Sequence, residues 1–375
     1  MSVRKRLLAF AGAAALVLGA CQSGTPGGST APSGGGSSSA ALTPLKFQLQ
    51  WVAQSQFAGY FAAVDQGYYR DEGLDVQLLL GGPQVNNVQV VSTGGADIGT
   101  AWLPNMLQAR EGGADLVSIA QVFQRSGTRM VAFKSSGIAT PADMKGKHVG
   151  SWLGGNEPEL FAALTKVGID PSTAGIIKQN FDMSGLLQGD LDVAQAMIYN
   201  EYAQVLEAKN PQTGSLYQAS DLNVIDFNDP SVGTAMLQDQ IFATSSWLKD
   251  HEDLAVKFLK ASFKGWIYCR DNADACVQTV LSHGSQLGAS HQAWQMNEIN
   301  GLIWPSPNGI GMLDKAAYDQ TIQIATTYKV LKAAPSADAT RTDLAQKALD
   351  ALGSSVDTKG ASFQKATITL KEGGN

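Results

Sequence analysis

Between residues 45 and 51 the chain reads LKFQLQW, with apolar side chains at every second position: Leu45, Phe47, Leu49 and Trp51. A period of two predicts a half-buried strand. The following stretch, SQFAGYFAAVDQGYY, changes period. Phe57, Tyr60, Phe61, Val64 and Tyr68 fall at helical spacing, and Gly73 is a suitable stop. LDVQLLL then returns to strand character. ADIGTA, MVAFK, HVGSW, GIIKQNF, AQAMIYN, NVIDF and QIFAT are further short strands separated by helical or loop segments. Such alternation predicts an α/β protein with parallel sheets covered by helices.

In open parallel sheets, ligands gather where strands end and loops lead into helices. Four segments occupy such ends: 51–56 after LKFQLQ, 100–104 after ADIG, 152–159 after HVGS and 199–201 after AQAMI. Each carries an aromatic beside a polar side chain, the mixture suited to a flat ligand bearing heteroatoms. In SWLGGNEPELF, Gly154 and Gly155 permit a sharp turn or a close approach to a ligand. Asn156 and Glu159 have capping-box spacing, so Glu159 reads as a helix start and Glu157 as the residue facing a cleft.

Composition narrows the class. The chain has 375 residues, 44% hydrophobic and 16% charged, with a net charge of −6. That length suits two medium domains. No basic block follows the first few residues, which argues against nucleic acid as a partner. Residues 1–20 read as a signal peptide: Arg4, Lys5 and Arg6 precede a short apolar run that ends in Leu18-Gly19-Ala20-Cys21. This ending resembles the bacterial lipobox, in which cleavage leaves a lipid-bearing cysteine, here Cys21. Residues 22–42 lack charge and bulk, so 21–43 reads as a lipidated cysteine with a disordered tether. The expected location is outside the cytoplasm, anchored to a membrane. There the remaining pair, Cys269 and Cys276, is expected to form a disulfide, two buried thiols being the alternative. Neither an HExxH nor a paired CxxC is present, so no zinc site is expected.

Taken in order, LQWVAQSQFAGYFAAVDQGYYRDEGLDVQLLLGG, GGADIGTAW, TPADMKGKHVG, AMIYNEYAQVLEA and MNEINGLIWPSPNGIGMLD resemble bacterial substrate-binding lipoproteins of the NMT1/THI5-like family. That family includes binders of thiamine-pyrimidine precursors and of riboflavin. The resemblance spans residues 45–327 and implies a type II periplasmic-binding-protein fold, with two lobes of mixed, mainly parallel sheet joined by a two-crossover hinge. The first lobe is expected at 44–134 and 242–375 and the second at 135–241, with FKSSGI and LQDQIFAT as the crossovers. The implied partners are a small heteroaromatic ligand, an ABC permease and its ATPase. No cofactor and no metal are expected, and the protein is expected to be a monomer.

Turn placement and family position together nominate Trp51, Gln54, Gln56, Tyr60 and Trp102 from the first lobe. Trp152, Asn156, Glu157, Tyr199, Asn200 and Glu201 come from the second, with Trp304 as a lid. For each aromatic the competing reading is ordinary core packing. Gln124 and Arg125 are in reach of the cleft, although Arg125 reads equally as a surface charge. Two other functions compete. Fungal pyrimidine synthases of the same superfamily use pyridoxal phosphate, a reactive lysine and histidine and a cysteine-rich motif, yet residues 55–66 contain neither lysine nor histidine. Binders of sulfonate or nitrate share the GYYRDEGLDV element.

Overall fold

The computed structural model describes residues 41–375. The expected signal peptide, Cys21 and nearly all of the tether lie outside the described residues. In chain order the first strands are β1 (Thr43–Gln48), β2 (Leu74–Leu79), β3 (Ile98–Trp102) and β4 (Leu116–Gln121). Then come β5 (Thr128–Phe133), β6 (Val149–Ser151), β7 (Ile176–Lys178), β8 (Val193–Met197) and β9 (Leu222–Asp226), and finally β10 (Asp239–Thr244). They form two five-stranded sheets, ordered β2-β1-β3-β10-β4 and β7-β6-β8-β5-β9. In each sheet a single strand runs against the rest: β10 lies antiparallel between β3 and β4, and β5 between β8 and β9. Two lobes of mixed, mainly parallel sheet, crossed twice by the chain, are the expected type II arrangement.

Every strand expected from the apolar pattern is present, and β4 is an addition the pattern reading missed. Its six residues, LVSIAQ, are all buried and do not alternate, so they carry no period-two signal. The sheet boundary also falls earlier than the expected lobe boundary at 134. Strand β5, containing MVAF, pairs in the second sheet, so the chain crosses at 122–127 rather than at FKSSGI, which follows β5. It returns at 227–238, and most of LQDQIFAT is β10 itself. Local sequence marks MVAF as a strand but does not say which sheet it joins.

The first-lobe core fixes the segment that carries the site. Phe47, Phe57, Phe61, Phe258 and Trp266 are fully buried, each worth ~1.5–3 kcal/mol. Helices Ala58–Asp65 and Ser245–Asp271 cross at two glycines. A Cβ on Gly265 would sit 1.9 Å from the Gly59 carbonyl, and one on Gly59 would sit 2.3 Å from the Trp266 indole. Only paired glycines allow this approach. A disulfide joins Cys269 to Cys276, with their Cα atoms 5.5 Å apart, pinning the end of Ser245–Asp271 to helix Ala273–Ser282.

Buried hydrogen bonds tie the two crossings to each other. Glu159, at the start of helix Pro158–Lys166, accepts from the Ser126 hydroxyl at 3.0 Å and from the Met236 N–H at 2.6 Å. Gln238 donates to Thr128 Oγ1 at 2.6 Å and accepts from the Gly127 N–H at 2.7 Å. The expected capping box does not form: the helix begins at Pro158, and Glu159 is 3% exposed. Its side chain turns inward because both crossings present donors there.

Candidate functional site

The carboxyl ends of β1, β3, β6, β7 and β8 lead into loops that meet between the lobes. Because β10 runs the other way, its first residue reaches the same rim, where Asp239 stands opposite Trp102 in the register. The segment after β1 is held in place by Ser55, whose N–H donates to Gln292 Oε1 at 2.7 Å. Gln54 is extended, and the chain then turns into a 3-10 helix, Ser55–Phe57, before helix Ala58–Asp65. This extended-to-helical step keeps Trp51, Gln54 and Gln56 on the cleft side.

The resulting cavity has a volume of about 460 Å³. Trp51, Gln54, Gln56 and Trp102 line it from the first lobe, and Trp152, Asn156, Tyr199, Asn200 and Glu201 from the second. Three nominated residues do not line it. Tyr60 is 2% exposed and lies in the first-lobe core, edge-on to Phe47 at 4.8 Å and to Trp266 at 5.4 Å. It is one of the apolar-face residues of its helix, and that face packs inward. Trp304 is 1% exposed beneath the Arg270 guanidinium at 4.8 Å, so it is core and not a lid. Glu157 stands outside the cavity and accepts from the Gly155 N–H at 2.9 Å. Gln124 bonds the Gln121 and Met312 carbonyls, and Arg125 reaches the carbonyls of Leu302, Trp304 and Pro305. Both are spent on local structure.

Sequence reading missed Gln50, Asn105, Lys178 and Phe181, which also line the cavity. Phe181 is the last residue of GIIKQNF, expected as strand throughout, whereas the strand ends at Lys178 and leaves Phe181 in the loop beyond it. Its ring lies 4.9 Å from Trp51 and 6.4 Å from Trp152, nearly parallel to the latter. Trp152 is oriented by donating its indole N–H to the Asn180 carbonyl at 3.1 Å. Aromatic faces from both lobes therefore meet at one wall of the cavity.

Carboxyls back the polar side. Asp239 accepts from Gln50 at 2.7 Å and from Gln56 at 2.8 Å, and Gln54 donates to Gln56 at 2.6 Å. Burial pushes the Asp239 carboxyl up to about 6 despite these donors. On the second lobe, Glu201 accepts from the Met197 N–H at 2.9 Å and from Asn200 at 2.7 Å. Burial pushes this carboxyl up to about 7. Behind it, His291 bridges Asn200 Oδ1 at 2.9 Å and Glu207 at 2.9 Å. Tyr199 is held well above the ordinary phenol range, first by burial and then by the nearby Asp239 and Glu201 charges. Its ring lines the cavity, and among the described residues its hydroxyl has no hydrogen-bond partner. Such a site can stack a flat ring and match its edge with amides, a phenol and carboxyls poised near neutrality.

Comparisons with known proteins bear on the family and the fold. The chain is 21% identical over 272 residues to the formylaminopyrimidine-binding protein of Halalkalibacterium halodurans, covering 72% of this chain and 76% of that one. It is 22% identical over 323 residues to the riboflavin-binding protein RibY of Chloroflexus aurantiacus, covering 82% and 88%. A shorter match, 24% over 149 residues, covers 40% of this chain and 43% of the 4-amino-5-hydroxymethyl-2-methylpyrimidine phosphate synthase of Schizosaccharomyces pombe. Among solved structures, the alkanesulfonate-binding protein SsuA from Xanthomonas axonopodis pv. citri bound to MOPS superposes with a TM-score of 0.59. At 14% identity, covering 81% of this chain and 99% of that one, it shows a shared fold. Residues 54–276 match the family described as NMT1/THI5 like, and the chain belongs to that family.

Proposed function

We propose that this protein captures a flat heteroaromatic vitamin or vitamin precursor outside the cytoplasm and delivers it to an ABC importer. One observation carries the reading: aromatic rings of both lobes face a cavity whose other side is built from amides, the Tyr199 phenol and the Glu201 carboxyl, with Asp239 behind the glutamines. Trp51, Trp152 and Phe181 supply the stacking faces, each pair worth ~0.5–1.5 kcal/mol beyond area burial. Gln54, Gln56, Asn156, Tyr199, Asn200 and Glu201 supply the edge, where a mismatched ligand strands buried polar atoms. The names of the two relatives from H. halodurans and C. aurantiacus support pyrimidine-like or riboflavin-like chemistry. Sulfonate or nitrate is the weaker fit, because the cavity lining offers a single cation, Lys178, together with the Glu201 carboxyl and no guanidinium. The run Leu18-Gly19-Ala20-Cys21 supports export and lipid anchoring at Cys21, and the importer's permease and ATPase are the partners this role requires.

A thermal-shift screen of vitamins and their precursors tests the reading, with mass spectrometry of gently purified protein as a second route. One flat heteroaromatic compound is expected to raise the melting temperature. Stabilisation by sulfonates, nitrate or bicarbonate alone would refute it. A synthase-like enzyme is the second reading, favoured by Lys178 in the cavity and by the synthase relatives. Incubation with pyridoxal phosphate distinguishes it, since an imine on Lys178 would be trapped by borohydride and found on that residue by peptide mapping.

A further inference from the structure

The stretch from 363 to 374 begins on the first lobe and finishes on the second. Phe363 packs against the first-lobe core, and Lys365 pairs with Glu298 at 2.9 Å. Asn297 then holds the Ala366 backbone twice: its Oδ1 accepts the Ala366 N–H at 2.8 Å, and its Nδ2 donates to the Ala366 carbonyl at 3.0 Å. Both anchors project from helix Ala289–Ile303, which Gln292 ties to Ser55 of the first lobe. Beyond Ala366 the partners change lobe. Leu370 packs on the second-lobe apolar cluster that holds Tyr202 and Leu206. Lys209 pairs with Glu372 at 2.6 Å, and the Gly373 N–H donates to the Glu207 carbonyl at 3.2 Å. Between them, the Lys371 N–H reaches back to Ser290 Oγ on the first-lobe helix at 3.2 Å.

Gly374 makes the fit close. It is buried with φ at 77°, and a Cβ there would stand 2.9 Å from His291 Cβ and 3.2 Å from Glu207 Oε2. A Cβ on Gly288 would meet the Gly374 carbonyl at 2.4 Å. The pair beneath Gly374, His291 and Glu207, itself joins the lobes, and His291 also holds Asn200, which donates to Glu201 in the cavity wall. One turn further along the same helix, Trp294 donates its indole N–H to the Ile198 carbonyl at 2.9 Å and lies 5.9 Å from the Tyr202 ring. Among the described residues, Trp294 and Leu370 alone come from outside the second lobe to pack on that apolar cluster.

Helix Ala289–Ile303 therefore meets the rest of the molecule differently at its two ends. Near one end the Leu302 carbonyl accepts from the Gln124 N–H at 2.9 Å, on the first crossing. Near the other stand His291, Trp294 and the stretch just described. At ~1.5 Å per residue, His291 lies about 16 Å from Leu302 along the helix. A hinge rotation of about 20° at the crossings that swings this end away from the second lobe moves it by roughly 5 Å, beyond hydrogen-bond reach. The crossings are covalent and can bend; the contacts at the far end must hold or break. We propose that residues 366–374 are an interlobe strap, a third and non-covalent connection that holds the lobes together at the His291 end and limits how far they open. Opening strips Leu370 and Gly374 from the second lobe and draws His291 away from Asn200, so the strap and the cavity wall at Glu201 are coupled. The strap does not depend on which compound fills the cavity.

Small-angle X-ray scattering of the full, ligand-free chain tests the strap, with Gly374→Val and Leu370→Asp compared against the unchanged protein. Neither residue lines the cavity. Valine at 374 would collide with His291 and Glu207, and aspartate at 370 would set an unpaired charge against the second-lobe cluster. Either change is expected to free the stretch while both lobe cores keep their residues. The radius of gyration is expected to rise by at least about 5%, on a scale of ~20 Å for a folded body of this length. Hydrogen exchange of the amides of 198–207 is expected to quicken at least about tenfold alongside it. If Gly374→Val folds poorly, Leu370→Asp at its partly buried position decides alone. An unchanged radius in the folded variants, whether or not exchange quickens or the melting temperature falls, would overturn the strap and reduce the stretch to ordinary packing. No ligand is added, so this outcome and that of the vitamin screen are independent.

Discussion

Trp51 of the first lobe and Phe181 of the second meet with ring centroids 4.9 Å apart and planes inclined at 57°. The contact spans the cleft, yet Phe181 is 46% exposed. A large apolar ring left in water at a cavity wall is available to a ligand at little cost to folding. Phe181→Ala is therefore expected to weaken ligand binding by roughly three- to tenfold, the worth of one stacking partner. Its effect on stability should stay within about 0.5 kcal/mol. Isothermal titration and urea unfolding of the same preparation check both halves.

His291 has the opposite profile. It is 1% exposed and joins Glu207 to Asn200, which in turn holds Glu201. Replacing it by alanine leaves the Glu207 carboxyl, 6% exposed, without its partner. The expected loss is about 2–4 kcal/mol of stability. Weaker ligand binding by the folded fraction should accompany it, because Asn200 loses its anchor. Denaturant midpoints and titration of the variant below its melting temperature measure the two effects separately.

Stability should fall as pH rises through neutrality. Burial raises Glu159 from 4.5 to about 7, Glu201 from 4.5 to about 7 and Asp239 from 3.8 to about 6. Each folded-state value lies above the unfolded one, so the folded protein holds these protons more tightly and unfolding releases them. Their contribution is complete below about pH 4 and lost as pH climbs through about 6 to 7. At the surface, Asp343 and Glu252 are depressed by hydrogen bonds from Arg341 and Lys347 and act the other way, losing stability on acidification. The ligand-free protein should accordingly melt highest at mildly acidic pH and lower at pH 8. Glu159→Gln keeps an acceptor for the Met236 N–H and turns an amide N–H toward Ser126, whose hydroxyl then accepts instead of donating. It should flatten that slope by on the order of 2 kcal/mol across the range. Melting curves at half-unit pH steps on both proteins give the comparison.

Gly265→Ala tests the helix crossing beneath the site. The added methyl would meet the Gly59 carbonyl at 1.9 Å and Ala63 Cβ at 3.0 Å. Backbone cannot yield there without moving the Ser55–Phe57 turn. The expected cost is about 3 kcal/mol or more, and any folded remainder should bind ligand less well because Gln54 and Gln56 shift with the helix. Urea unfolding measures the first effect and titration the second.

Much of this molecule was legible from pattern. Period two at 45–51 and helical spacing from Phe57 onward became β1 and the helix behind it, because one face of each element packs inward. The alternation of short strands with helices fixed the α/β class. The ends of parallel strands then pointed to Trp51, Gln54, Gln56, Trp102, Trp152, Asn156, Tyr199, Asn200 and Glu201, which line one cavity.

What the pattern could not supply was long-range. Strand β4 was hidden because burial on both faces erases alternation. Strand β5 was visible as a strand, but its sheet was chosen by pairing with Val193–Met197 and Leu222–Asp226, some 60 and 90 residues away. Tyr60 and Trp304 looked like ligand aromatics until packing enclosed them, and Phe181 and Asp239 looked ordinary until the fold brought them to the rim. Residue type and spacing determine which face of an element is apolar; which neighbour covers that face, and which polar group is left beside a cavity, is decided only when distant segments meet.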